Sequence, residues 1–176
     1  MRMPVRTASE SDFPEVVNLL NSAYRGKSGV RGWTSEEGIV AGDRMSAETL
    51  REELAAKPHA TLLVYEQQET LFGCVWVEPV DCEVWYLGSL AIQPALQNHN
   101  HGRRLLDAAE QWIAARLGRT VKMTVIEDRR TLLEWYERRG YQRTGHREPF
   151  PLTDTRFGTP LKPDLMFEVL TKNLVP

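Results

Sequence analysis

Between Leu87 and Leu106 the sequence changes character twice, and that order of residue types limits the fold more than any other stretch. Apolar Leu87, Leu90, Ala91 and Ile92 stop at Pro94. A polar run follows, Gln97-Asn98-His99-Asn100-His101-Gly102, and leads into Arg103-Arg104-Leu105-Leu106. The order predicts a strand, a turn and a helix. Leu105, Leu106, Ala109, Trp112, Ile113 and Leu117 recur at three- and four-residue steps, the mark of one buried helical stripe, and Gly118 is expected to end it. A glycine in the first helical turn lets a bulky ligand come close to the main chain, because no Cβ intervenes. Free N–H groups and the positive dipole end at such a junction attract anions, so a phosphate site is predicted, with Arg103 and Arg104 adding charge. The same residues also read as a polar loop followed by a solvated arginine face, and the local pattern alone does not choose.

The flanking segments supply a sheet and helices around this junction. Pro4 to Ala8 reads as a short strand, and Ser9 opens a helix whose Phe13, Val16, Val17, Leu19, Leu20 and Ala23 lie on one face. Arg25 to Arg44 is rich in glycine and charge and reads as a long loop or irregular helix. Ser46 is expected to cap a helix through Ala56, with Thr61 to Glu66 and Leu71 to Glu78 pairing around a Gln-Gln-Glu turn and Glu83 to Ile92 as the next strand. Val121 to Ile126 predicts another strand, and Thr131 to Arg139 a short helix. The 176 residues suit a single domain, 1–176. A net charge of −2 provides no field for nucleic acid. Cys74 and Cys82 have no metal or disulfide spacing, the N-terminus lacks a signal-peptide core, and no apolar run is long enough to span a bilayer. A cytoplasmic setting with no membrane partner is the expectation.

Two blocks of residues then resemble a known family. Leu90-Ala91-Ile92-x-Pro94, Gln97-x-x-Asn100-x-Gly102-x-x-Leu105-Leu106 and Tyr136-x-x-x-Gly140-Tyr141 are similar to motifs of the GNAT superfamily of N-acetyltransferases. The motifs lie within Leu90 to Tyr141, and the order of elements extends the resemblance over the chain. It implies an α/β (α+β) fold with a central mixed, mostly antiparallel twisted sheet of about six to seven strands flanked by about four helices. It also implies acetyl-CoA as co-substrate, bound by backbone amides; the residues themselves offer no recognisable metal-ligand set, so no metal is expected.

Carried onto this sequence, the resemblance assigns Leu90, Ala91 and Ile92 to the pantetheine arm and Asn98, His99, Asn100, His101, Gly102 and Arg103 to the pyrophosphate. Tyr136 occupies the family's general-acid position. The strand position where relatives often carry a carboxylate base holds Tyr86, and Glu78 and Glu83 are nearby acids. Asn100 stands where glycine is usual, and Arg129 where asparagine is frequent. Asparagine tolerates a left-handed backbone better than other non-glycine residues, so Asn100 is expected to keep the loop's shape. Arg129 either reaches a phosphate or faces water. His99 and His101 lack a third ligand nearby.

Acceptor contacts are expected from the two cleft-flanking segments. Tyr24, Arg31, Trp33, Thr34, Glu36, Glu37 and Arg44 populate the first, and Arg147, Phe150, Asp154, Arg156 and Phe157 the second. Among them Tyr24, Trp33 and Arg44 are assigned to the substrate. Arginines beside aromatics suit an acceptor bearing a carboxylate, so the partner is expected to be a small-molecule amine. Acetylation of a protein amine, and a non-catalytic acetyl-CoA-binding module, stay open as alternatives, and a homodimer is compatible with each.

Overall fold

The computed structural model describes residues 5–26, 35–97, 99–151 and 154–175. The chain runs through β1 (Val5–Thr7), α1 (Phe13–Arg25), β2 (Val40–Ala41), α2 (Ala47–Ala56), β3 (Thr61–Gln67), β4 (Thr70–Pro79) and β5 (Val84–Ile92). It continues through α3 (His101–Ala114), β6 (Thr120–Ile126), α4 (Arg130–Glu137), β7 (Gln142–Pro149), β8 (Thr159–Pro160) and β9 (Met166–Asn173). Seven strands form one sheet in the order β1-β3-β4-β5-β6-β9-β7. All its neighbours run antiparallel except β5 and β6, which are parallel. This is the mixed, mostly antiparallel sheet with four α-helices that the sequence led us to expect.

The sheet separates two cores because strand side chains alternate between faces. Leu90 and Ile92 turn to the face covered by Leu105, Leu106, Ala109 and Ile113 of α3 and by Leu132 and Leu133 of α4. Ala91, between them, joins the opposite core with Phe13, Val16, Leu19 and Leu20 of α1 and Leu50 of α2. Leu105, Leu106 and Ile113 are fully buried, each contributing about 1.5–3 kcal/mol by removal from water. Ser46 caps α2 as its position suggests, its hydroxyl accepting from the Thr49 amide at 3.1 Å.

The parallel ladder between β5 and β6 is short. Only Val84–Tyr86 pair with Thr120–Lys122, although both strands run on well beyond. Past Tyr86 the two strands part, and the sheet opens there.

Three sequence expectations are corrected. Helix α3 begins at His101, two residues before Arg103, so the polar run itself forms the first turn. Leu117 does not belong to the buried stripe: the helix stops at Ala114, and Leu117 has φ 65° and is 80% exposed. Gly118 is needed for close approach, since a Cβ there would stand 2.3 Å from Ile113 Cγ2 and 2.6 Å from Trp85 Cδ1. Arg25 to Arg44 is not all loop. Arg25 closes α1, and Val40–Ala41 pairs with Thr159–Pro160 in a second, two-stranded sheet. Pro4 and residues 27–34 lie outside the described residues.

That small sheet is tied to α1 through a crowded glycine. Gly158 has φ 110°, and a Cβ on it would stand 2.7 Å from Arg25 Nη2 and 2.8 Å from the Ala41 carbonyl. Gly158→Ala is therefore expected to lower stability by about 1–3 kcal/mol in urea denaturation. An unchanged midpoint would show that β8 does not pack as described.

Candidate active site

The site starts from an irregularity in β5. Cys74 pairs with Ala91 and Trp76 with Gly88, so two steps on β4 face three on β5. A bulge results, and Ser89 takes a left-handed φ of 49°. The Tyr24 hydroxyl donates to the Leu90 carbonyl at 2.7 Å, fixing the bulge to α1. Because β6 has already parted from it, β5 presents backbone from Leu87 to Ile92 towards the opening. Such an edge can bind an extended chain much as a neighbouring strand would.

At one end of this edge lies a cleft suited to anions. Asn100 adopts φ 61° and ψ 8°, the left-handed conformation expected of it, and hands the chain directly into α3. A space of about 400 Å³ is bordered here by Asn100, Gly102 and Arg103 from the α3 start, by Thr131, Leu132 and Trp135 from α4, and by Arg138 and Arg139 just beyond it. The Arg139 guanidinium stacks on Trp135, 3.7 Å from the ring centre, and donates through Nη1 to the Trp135 carbonyl at 2.8 Å. Its Nε is buried and meets no partner among the described residues. Burial, with Arg138 and Arg103 close by, lowers the Arg139 pKa, which marks an uncompensated positive site. An incoming phosphate would supply the missing acceptor.

The histidines divide. His99 is exposed, whereas the His101 ring turns inward, its Nδ1 3.4 Å from the Tyr65 hydroxyl and its face near Phe72. Burial and Arg104 lower its pKa. What His101 presents to the cleft is therefore its position in the first helical turn, not a charged ring. Asn98 lies outside the described residues. Among the described residues no group of three metal-ligating side chains is found.

The strand opening itself holds a cavity of about 310 Å³, and it shares Leu132 with the anion cleft. Tyr24, Tyr86 and Tyr136 all line it, together with Ser89, Leu90, Thr124 and Phe157. Tyr136 is 6% exposed, and burial followed by the neighbouring Tyr86 pushes its phenol well up. Burial, and after it Tyr136, does the same to Tyr24. Arg129 is buried and lines the cavity, where its charge pulls Tyr136 partly back down, so it does not face water. Cys74 is buried and its thiol is pushed up to about 12 by that burial, so it offers no thiolate nucleophile.

Neither of the acids near Tyr86 in the sequence reaches this space. Glu78 sits 3.8 Å from Lys57 and the exposed Glu83 3.4 Å from Arg119, and neither lines the cavity. Two other carboxylates do line it. Glu36 is bound to the buried Arg25, which also donates to the Phe157 carbonyl at 2.6 Å and the Gly42 carbonyl at 2.9 Å. Glu53 pairs with Arg156 at 3.2 Å and Lys57 at 3.5 Å. Glu53 on α2 and Lys57 at its C-terminal cap carried no sequence signal beyond an ordinary helix pair.

Of the residues assigned to the acceptor, the structure gathers Tyr24 and Arg44 in the cavity, with Phe150 and Phe157 beside them. Trp33, Arg31 and Thr34 lie outside the described residues. Arg147 pairs with Glu127 on the exposed strand β7 and stands apart.

Comparison with known proteins agrees with this architecture. The family described as "Acetyltransferase (GNAT) domain" matches residues 32–150. An aminoglycoside 6'-N-acetyltransferase complexed with coenzyme A superposes with TM-score 0.69 at 18% identity, over 99% of this chain and 98% of that one. A ribosomal-protein-alanine N-acetyltransferase from Brucella melitensis gives 0.69 at 15%, over 96% and 98%. An acetyltransferase of the same family from Elizabethkingia anophelis with acetyl-CoA bound gives 0.58 at 16%, over 73% and 83%. At such identities the likeness concerns the fold. No curated protein shows significant sequence similarity to the chain.

The left-handed turn at Asn100 can be tested by substitution. Asn100→Gly should change stability by less than about 1 kcal/mol, whereas Asn100→Val should cost about 1–2 kcal/mol because a β-branched residue resists that conformation. Equal denaturation midpoints for the two variants would contradict the turn.

Proposed function

The chain belongs to the GNAT acetyltransferases, and on that premise we propose that residues 1–176 form one domain moving an acetyl group from acetyl-CoA to a small-molecule primary amine. The observation that carries this reading is the adjacency of two spaces. A cationic cleft at the start of α3, with an unpartnered buried Arg139 nitrogen, meets a tyrosine-lined cavity at Leu132. The first suits a pyrophosphate and the second a thioester and an amine. An extended pantetheine arm along Leu90, Ala91 and Ile92 would join them.

In this reading acetyl-CoA supplies an activated thioester, and the protein's residues orient it and manage protons. Asn98, His99, Asn100, His101, Gly102 and Arg103 hold the pyrophosphate through the amides and dipole of the α3 start, with Arg139 alongside. The amine nitrogen forms a bond to the thioester carbon, and the oxyanion so formed accepts hydrogen bonds from the backbone at the β5 bulge. As the carbon–sulfur bond breaks, Tyr136 gives its proton to the departing sulfur. The phenolate recovers it from the ammonium formed by attack, through water ordered by Tyr86. Tyr136 lines the cavity and burial keeps its phenol protonated, so the proton is present when the sulfur develops charge.

Among the described residues no carboxylate of the cavity is open to act as base, since Glu36 and Glu53 are both paired with cations. Arg44, with its buried Nη1, makes the space positive instead, which favours the neutral amine over its ammonium. That same lack of an open carboxylate is the observation favouring a non-catalytic, acetyl-CoA-binding role, for which binding without turnover on any amine would be the signature.

Thiol release with an amine pool tests the assignment of Tyr136. Tyr136→Phe should lower kcat by about 10²–10⁴ while leaving acetyl-CoA affinity unaltered. Wild-type turnover in the variant would sink the general-acid role. The pH profile gives a second check. Burial favours the neutral phenol, so its pKa in the folded protein lies above the usual ~10. kcat/KM should therefore rise as the acceptor amine deprotonates and then hold level to about pH 10. An alkaline fall below that, absent from Tyr136→Phe, would mean the phenol titrates normally.

A further inference from the structure

The cavity carries one cationic side chain that is built in place and left incomplete. Buried Asn21 of α1 clamps the backbone that bears it: its Oδ1 accepts from the Arg44 amide at 2.7 Å and the Met45 amide at 3.2 Å, and its Nδ2 donates to the Met45 carbonyl at 2.9 Å. The Arg44 guanidinium lies 5.4 Å from the centres of both the Tyr24 and Phe157 rings. One nitrogen, Nη2, donates to the Ser89 hydroxyl at 3.1 Å, at the bulge of β5. The other, Nη1, is buried and has no partner among the described residues. A buried cationic donor left unbonded is costly, and structures retain one where a ligand completes it.

The balance of charge around it points the same way. Arg25, Arg44, Lys57 and Arg129 line the cavity with Glu36 and Glu53; Glu36 is bound to Arg25 and Glu53 to Arg156 and Lys57, so the lining holds more cations than anions. Such a space repels an acceptor carrying several ammonium groups and attracts one carrying an anion. We propose that the acceptor is an amino-carboxylate, a small amine whose carboxylate is held by Arg44 Nη1 while its amino group faces Tyr136. This rests on the acetyltransferase reading above and narrows its substrate class. Arg44 then acts in specificity: it anchors the acceptor's anion and aims its amine, taking no part in proton transfer.

The test pairs each amino acid with its decarboxylated amine and with its amide, and measures kcat/KM for all three with saturating acetyl-CoA. Wild-type protein should favour the carboxylate form by about 10- to 100-fold, the worth of a charge-assisted hydrogen bond. Arg44→Met should reduce that preference at least tenfold, and Arg44→Lys should retain part of it. Acetyl-CoA affinity and the thermal midpoint, measured on each variant, report whether it has folded. If it has not, the wild-type preference alone decides. Amines turned over with no regard to the carboxylate, or a preference that survives Arg44→Met, would overturn this inference and leave the acetyltransferase reading standing. Acetyl-CoA bound with no amine of any kind turned over would remove both.

Discussion

The parting of β5 from β6 after three parallel pairs is the constraint on which the site depends. Two adjacent strands in a sheet normally bond along their shared length, and unmet backbone groups are costly in the interior. Here the ladder stops at Tyr86 and Lys122, and the bulge at Ser89 turns β5 further away. The gap creates both features that the chemistry needs: a backbone edge able to receive an extended ligand, and a cavity beside it. Core packing on the two faces, α1 and α2 on one and α3 and α4 on the other, holds the opened strands apart. The start of α3 and the side of α4 then meet at the edge's outer end, where positive charge collects.

Electrostatics divides this region into two cationic compartments with different neutralisation. In the outer cleft Arg103, Arg138 and Arg139 stand together, and the stacked Arg139 retains an unmet buried nitrogen. In the inner cavity Arg25 is fully engaged by Glu36, Gly42 and Phe157, joining α1 to both segments that roof the cavity. Arg25 is thus a structural clasp, and Arg44 is the arginine with bonding capacity to spare. Two tyrosines of the inner cavity, Tyr24 and Tyr136, are kept protonated by burial, so their hydroxyls are donors. Donors and cations without an open carboxylate suit an electron-rich, anionic reactant and transfer between bound partners. Cys74, buried behind Ser89, has its thiol pushed up by burial and offers no thiolate there.

Much of this was legible in the sequence where the cause is local. The apolar steps Leu105, Leu106, Ala109 and Ile113 declare a buried helix, and a left-handed Asn100 before it follows from that residue's conformational tolerance. Ser46 as a cap is equally local. What was illegible depends on distant partners. Val40–Ala41 becomes a strand only because Thr159–Pro160 arrives beside it, and two residues carry no period to read. Leu117 fits the helical spacing but not the helix, since Ile113 and Trp85 close over Gly118 and leave Leu117 in solvent. Arg138 and Arg139 look like a solvated helix end until α4 lies against the start of α3. Glu53 and Lys57 enter the cavity wall for a similar reason, the placement of α2 beside the roof.

The account is tested most directly by following the acetyl group itself. Incubation with acetyl-CoA labelled in the acetyl carbons and a pool of amines, read by mass spectrometry, should give N-acetylated amine and free CoA in equal amounts, with no labelled protein. Acetyl on the protein, or CoA released with no acetylated amine, would contradict transfer between two reactants held together in the opening between β5 and β6.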